Sequence, residues 1–96
     1  MKSIDYNIIE YWCFANFVSG YVDEDRVNNG TFHSDFSQEY KNETYTVYYK
    51  LFFRNGECVK AKCDIEMRFG DEEIDAINTN SFLLPELINN FLDLNP

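Results

Sequence analysis

At 96 residues, 45% of them hydrophobic and 18% aromatic, the chain has apolar material for one core and not two, and too much of it for wholesale disorder. Eight Lys and Arg against seventeen Asp and Glu leave a net charge of -9, which opposes direct binding to nucleic acid or to an anionic membrane and favours basic partners. No apolar run approaches the roughly 18 residues of a membrane-spanning helix, the start Met1-Lys2-Ser3-Ile4-Asp5 lacks a basic-then-apolar signal, and the odd set Cys13, Cys58 and Cys63 suits a reducing compartment; a cytoplasmic location is expected.

Ser3 precedes a run in which Ile4, Ile8, Trp12, Ala15, Ser19 and Val22 recur at three- or four-residue spacing, which predicts a helix over about Ile4 to Ser19 ending at Gly20. With that stripe buried, Asn7, Glu10, Phe14 and Phe17 lean outward. Phe14 and Phe17 then become candidate anchors for a partner, or the seam of a homodimer. Asp23-Glu24-Asp25 and Asn28-Asn29-Gly30 mark a polar connection.

Phe32, Phe36 and Tyr40 suit one face of a helix and equally one face of a strand; the preceding turn and Thr31 favour a strand. From Thr44 the pattern is cleaner. Tyr45, Val47, Tyr49, Leu51 and Phe53 alternate on one face, and Val59, Ala61, Cys63, Ile65, Met67 and Phe69 alternate on a face of the next run, predicting two antiparallel strands. A two-residue loop Asn55-Gly56 would set Leu51 beside Lys60 and Val47 beside Asp64. A three-residue loop Arg54-Asn55-Gly56 instead pairs Leu51 with Val59, Tyr49 with Ala61, Val47 with Cys63 and Tyr45 with Ile65, so the longer loop and that register are expected.

Gly70 to Ile77 reads as an acidic connection holding one helical turn capped by Asp71. Pro85 opens a last helix with an apolar stripe of Leu84, Leu87, Ile88, Phe91 and Leu92. The expected fold is a single acidic α+β domain over residues 1–96: an antiparallel three-stranded meander with an N-terminal and a C-terminal helix on one face, in the order α-β-β-β-α.

Catalytic and metal chemistry have little to work with. There is one histidine, and Cys58 and Cys63, an odd number apart, would face opposite sides of one strand, so neither a metal nor another cofactor is expected. His33 and Asp35 share a strand face with no nucleophile in evidence, and carboxylates are too common for any pair to mark acid-base catalysis; a non-enzyme is expected.

Charge is unevenly placed. Residues 1–49 carry net -5, residues 50–62 net +3 and residues 63–96 net -7. Lys50, Arg54, Lys60 and Lys62 gather near the predicted turn, while Asp64, Glu66, Asp71, Glu72, Glu73 and Asp75 lie towards the other end. Carboxylates repeated at strand spacing can occupy a groove built for phosphates, since both offer fixed negative charge to Lys and Arg. In size and charge the chain is similar to phage-encoded inhibitors of host defence, the anti-CRISPR and anti-restriction proteins, and to toxin-neutralising immunity proteins; no motif singles out a family. The likeness implies a nucleic-acid mimic that blocks a basic protein or ribonucleoprotein handling nucleic acid, working in the host cytoplasm if phage-encoded. Asp23, Glu24, Asp25, Asp64, Glu66, Asp71, Glu72, Glu73, Asp75, Phe14 and Phe17 are the candidate contacts. An antitoxin-like cap on a basic toxin, or a small accessory subunit whose acidity serves solubility, are the alternatives.

Overall fold

The computed structural model describes residues 4–20 and 30–94, the side chains of Ile74 and Asp75 excepted. Helix α1 (Tyr6–Gly20) is followed by strands β1 (Gly30–Tyr40), β2 (Glu43–Arg54), β3 (Glu57–Phe69) and β4 (Glu72–Ser81), and by helix α2 (Leu84–Leu94). The strands form one antiparallel sheet in the order β1-β2-β3-β4. The α+β class and the helices at either end of a meander are as expected from sequence. The sheet has a fourth strand where an acidic connection was expected, because Gly70, at φ 61°, and Asp71 make a two-residue hairpin loop that returns the chain alongside β3.

All three strand connections are tight turns. Lys41 and Asn42 (φ 50° and 66°), then Asn55 and Gly56 (53° and 79°), take the paired left-handed conformation of type I′ turns, whose twist matches that of the strands they join. The β2–β3 loop is therefore Asn55-Gly56, and the expected three-residue loop is not formed. Phe53 pairs with Cys58, but one step further Phe52 pairs with Lys60, so Val59 is an extra residue in a bulge. Beyond it Leu51 lies opposite Ala61, Tyr49 opposite Cys63, Val47 opposite Ile65 and Tyr45 opposite Met67. The register is thus two residues from the expected one, with the same faces meeting. The bulge corrects the parity that the short turn sets wrongly, turning Val59 out to 56% exposure and Cys58 inward to 3%. Cys58 and Cys63 consequently face the same side. Phe69, expected on the buried stripe, is 55% exposed near the end of β3.

The core lies between the sheet and the helices: Val47, Tyr49, Leu51, Ala61, Cys63 and Ile65 from β2 and β3 meet Ile9, Cys13 and Phe17 of α1 and Leu84 and Ile88 of α2. The buried face of α1 is not the expected stripe. Phe17 is wholly buried, with its ring 5.2 Å from that of Phe32 and 6.3 Å from that of Phe91, and Phe14 is half-buried 6.1 Å from Phe91. Trp12 packs on the flank against Tyr40 and Tyr45 at 5.6 Å each, while Ala15 and Ser19 face solvent. Apolar side chains surround this helix, so spacing alone does not select a face; large rings from β1 and α2 do.

Polar groups join the helices to the sheet. The buried Glu10 carboxylate accepts hydrogen bonds from the Ser81 hydroxyl and from the Leu83 amide at 2.9 Å, and Ser81 Oγ accepts from the Leu84 amide at 3.0 Å at the start of α2. The Tyr49 hydroxyl donates to Asn16 Oδ1. Beyond Ser81, β4 no longer borders β3, and the Asn89 side chain of α2 serves the edge instead: Cys58 N–H donates to Asn89 Oδ1 at 2.7 Å, and Asn89 Nδ2 donates to the Cys58 carbonyl at 2.9 Å. Removing both bonds with Asn89→Ala is expected to lower unfolding stability by about 1–3 kcal/mol, the cost of stranding partly buried backbone groups. Asn89→Asp, which sets an oxygen against the Cys58 carbonyl, should also destabilise; urea midpoints equal to wild type in both variants would refute this role.

Candidate functional site on the open sheet face

Both helices pack on one face of the sheet, and the other face carries the alternate residues of all four strands. The register sorts these into rows across the strands: His33, Lys50, Lys62 and Asn80; then Asp35, Tyr48, Asp64 and Asn78; then Ser37, Thr46, Glu66 and Ala76. Nearer the Asn55-Gly56 turn, Thr31, Phe52 and Lys60 form a shorter row. Successive rows lie about 6.7 Å apart, two residues along a strand. Positive charge therefore collects on one half of the face and negative charge on the other, and the division falls between the Lys50 row and the Tyr48 row.

Lys50 and Lys62 stand directly opposite each other, an arrangement that costs stability where like charges face across strands. Lys50 Nζ and Lys60 Nζ lie 6.0 and 5.9 Å from the centre of the Phe52 ring, which draws both cations to it. A depression of about 390 Å³ spans the boundary and is lined by His33, Asp35, Tyr48, Lys50, Lys62 and Asp64 among others. Asn78 Nδ2 donates to Asp64 Oδ1, fixing that carboxylate. Sequence reasoning grouped the four basic residues near the turn but did not assign them a site, because the row that joins His33, Lys50 and Lys62 exists only in the observed register.

The acidic end is built from the two hairpins opposite the Asn55-Gly56 turn. Glu39 precedes the Lys41-Asn42 turn, and Glu66, Asp71, Glu72 and Glu73 surround the Gly70-Asp71 turn; Glu39, Asp71, Glu72 and Glu73 are exposed. Arg68 lies 3.6 Å from Glu66 and 3.7 Å from Glu73, one cation shared by two partly exposed carboxylates, so the surroundings remain negative. Of the sequence-predicted contacts, Asp64 and Glu66 lie on the open face and Asp71, Glu72 and Glu73 at its acidic end. Glu72 and Glu73 belong to β4 and not to a loop. Asp23, Glu24, Asp25 and the Asp75 side chain lie outside the described residues. Phe17 is in the core and so does not lean outward as expected, while Phe14 is half-buried against Phe91 of α2. No protein-family model matches the chain, and neither a curated protein nor a solved structure matches it.

The thiols sit on the helix side, away from this face. Cys13 Sγ and Cys63 Sγ are 3.9 Å apart with neither residue exposed, and contact with Cys63 together with burial pushes the Cys13 thiol up. Burial pushes Cys58 up to about 11, and burial with the hydrogen bond to Glu43 pushes Tyr45 up to about 12. The Cys13 and Cys58 thiols are therefore protonated and poor nucleophiles near neutrality. Between their ordinary and raised values, the folded chain keeps protons that the unfolded chain releases. Stability from Cys58 is therefore full below pH 9 and lost as pH rises to about 11, with the Tyr45 loss running from 10 to about 12. Urea midpoints should fall across this range, and Cys58→Ala should flatten its lower part; a midpoint that rises with pH would contradict the sign.

Proposed function

We propose that this chain is a non-enzymatic protein-binding inhibitor whose acidic sheet end blocks the basic nucleic-acid-binding site of an effector or nuclease, in the manner of anti-CRISPR and anti-restriction proteins. The observation that carries this reading is the gathering of Glu39, Glu66, Asp71, Glu72 and Glu73 around two adjacent turns at one end of a molecule 41 Å long. Carboxylates on paired strands repeat about every 6.7 Å along a strand and about 4.8 Å across strands, a spacing over which Lys and Arg of a phosphate-binding groove can engage several at once. The partner is a basic protein or ribonucleoprotein, and the chain itself is not a nucleic-acid binder.

The opposite sign at the other end supports the same reading through kinetics. Lys50, Arg54, Lys60 and Lys62 lie towards the Asn55-Gly56 turn, so the field of a basic partner turns the molecule until its acidic end leads. Screening shortens this guidance from about 10 Å at 0.1 M salt to about 3 Å at 1 M.

Reversing Asp71, Glu72 and Glu73 together to Lys is expected to abolish retention of nucleic-acid-handling proteins from a host lysate, while neutralisation to Asn and Gln weakens it less. The retained partner should elute at high salt and be competed by an oligonucleotide. Retention unaffected by the reversal, in a variant with wild-type circular dichroism, would sink the mimicry reading.

A further inference from the structure

We propose that the open sheet face pairs two copies of this chain about a two-fold axis running across the strands, between the Lys50 row and the Tyr48 row. Rotation about such an axis lays each strand over its own copy in reverse direction. It brings the basic half of one face onto the acidic half of the other.

The match extends across the rows. On β1, His33 comes over the partner copy's Asp35. On β2, Lys50 comes over the second Tyr48 ring, a cation above an aromatic face. On β3, Lys62 comes over Asp64 and Lys60 over Glu66, while on β4 Asn80 comes over Asn78. Each pairing follows from the observed rows, because members of a pair are equidistant from the axis on the same strand. The Lys50–Lys62 juxtaposition, unfavourable in one copy, then has carboxylates and a ring to face. Such a contact is isologous and closes at two copies.

Size and shape also fit. Four strands at about 4.8 Å spacing, over about nine residues at 3.3 Å each, give a pleated face of roughly 19 by 30 Å. Its projected area of roughly 600 Å² is on the scale of the about 800 Å² that each partner contributes to a standard interface, given that pleating and side chains add to accessible area. Sheets packed face to face align their strands within about 30°. The helices lie on the far side of each sheet, so nothing in the described residues of α1 or α2 obstructs the approach. Glu66 is shared with the acidic end of the inhibitor reading, but Asp71, Glu72 and Glu73 lie beyond the last row and outside the pairing, so the charge-reversal test above and the dimer test use different residues.

Light scattering coupled to size exclusion tests it. At low salt the wild-type chain should show twice its 11.4 kDa mass. Lys50→Glu with Lys62→Glu makes the face mostly acidic, and Asp35→Lys with Asp64→Lys makes it mostly basic; each should weaken dimerisation by about tenfold or more, since close interfacial charge pairs couple by over 1 kcal/mol. Mixed in equal amounts, the two variants should form a heterodimer, because the altered halves are again complementary. A monomeric wild type, variants that dimerise as wild type does, or a mixture that stays monomeric would each overturn the proposal. So would a monomer that binds a labelled single-stranded oligonucleotide through Lys50 and Lys62, which would give the face to a nucleic acid.

Discussion

The arrangement of both faces depends on the bulge at Val59. Side chains on a strand alternate, so two strands share a buried face only if their register preserves parity. A type I′ loop at Asn55-Gly56 sets the opposite parity, pairing Phe53 with Cys58. One extra residue restores it, and beyond it the buried residues Leu51, Tyr49, Val47 and Tyr45 of β2 meet the buried residues Ala61, Cys63, Ile65 and Met67 of β3. The same correction brings Lys50 opposite Lys62 and Tyr48 opposite Asp64, so the part of the charge rows that β2 and β3 contribute, and the core beneath it, are set by one local irregularity.

Beyond Ser81 the edge of β3 has no strand beside it, and α2 supplies partners for its backbone groups there. Asn89 presents an acceptor and a donor to Cys58, much as a neighbouring strand would. The buried carboxylate of Glu10 acts similarly at the other end of that connection, receiving the Ser81 hydroxyl and the Leu83 amide where β4 turns into α2. Each is a polar side chain with its partners in place, the condition under which burial of such groups is tolerated. Together they fix how the helices sit over the sheet.

Much of the fold was legible because β2, β3 and α2 carry strong, single-period patterns. The remainder was not, for three separate physical reasons. The turn type was inferred from parity on the assumption of regular strands, and a bulge is a second solution that parity cannot distinguish from a longer loop. The run from Glu72 to Ser81 contains Glu, Asp, Asn and Thr, the composition of an edge strand protected by charge against pairing with other chains, and it reads as a connection when considered alone. Helix α1 is apolar on nearly every side, so the burial of Glu10 and Phe17 depended on partners 70 or more residues away in the first case and on rings from two elements in the second. The acidic residues of the candidate site were legible as a group. Their division from the lysine rows was legible only as a trend, since rows require a register.

The electrostatic form of the molecule follows from these steps. A chain of net charge -9 could have dispersed its eight basic residues among the carboxylates, which would weaken every local field. Here Lys50, Lys60 and Lys62 stand on adjacent rows with Phe52 between two of them, and Asp35, Asp64 and Glu66 occupy the next rows of the same face. Segregation on a rigid sheet keeps opposite charges too far apart to neutralise one another fully within one copy, so each half retains a field that can act on another surface. That property requires the pleat, the register and the covered rear face together, and it is what turns an acidic composition into a face with two halves of opposite sign.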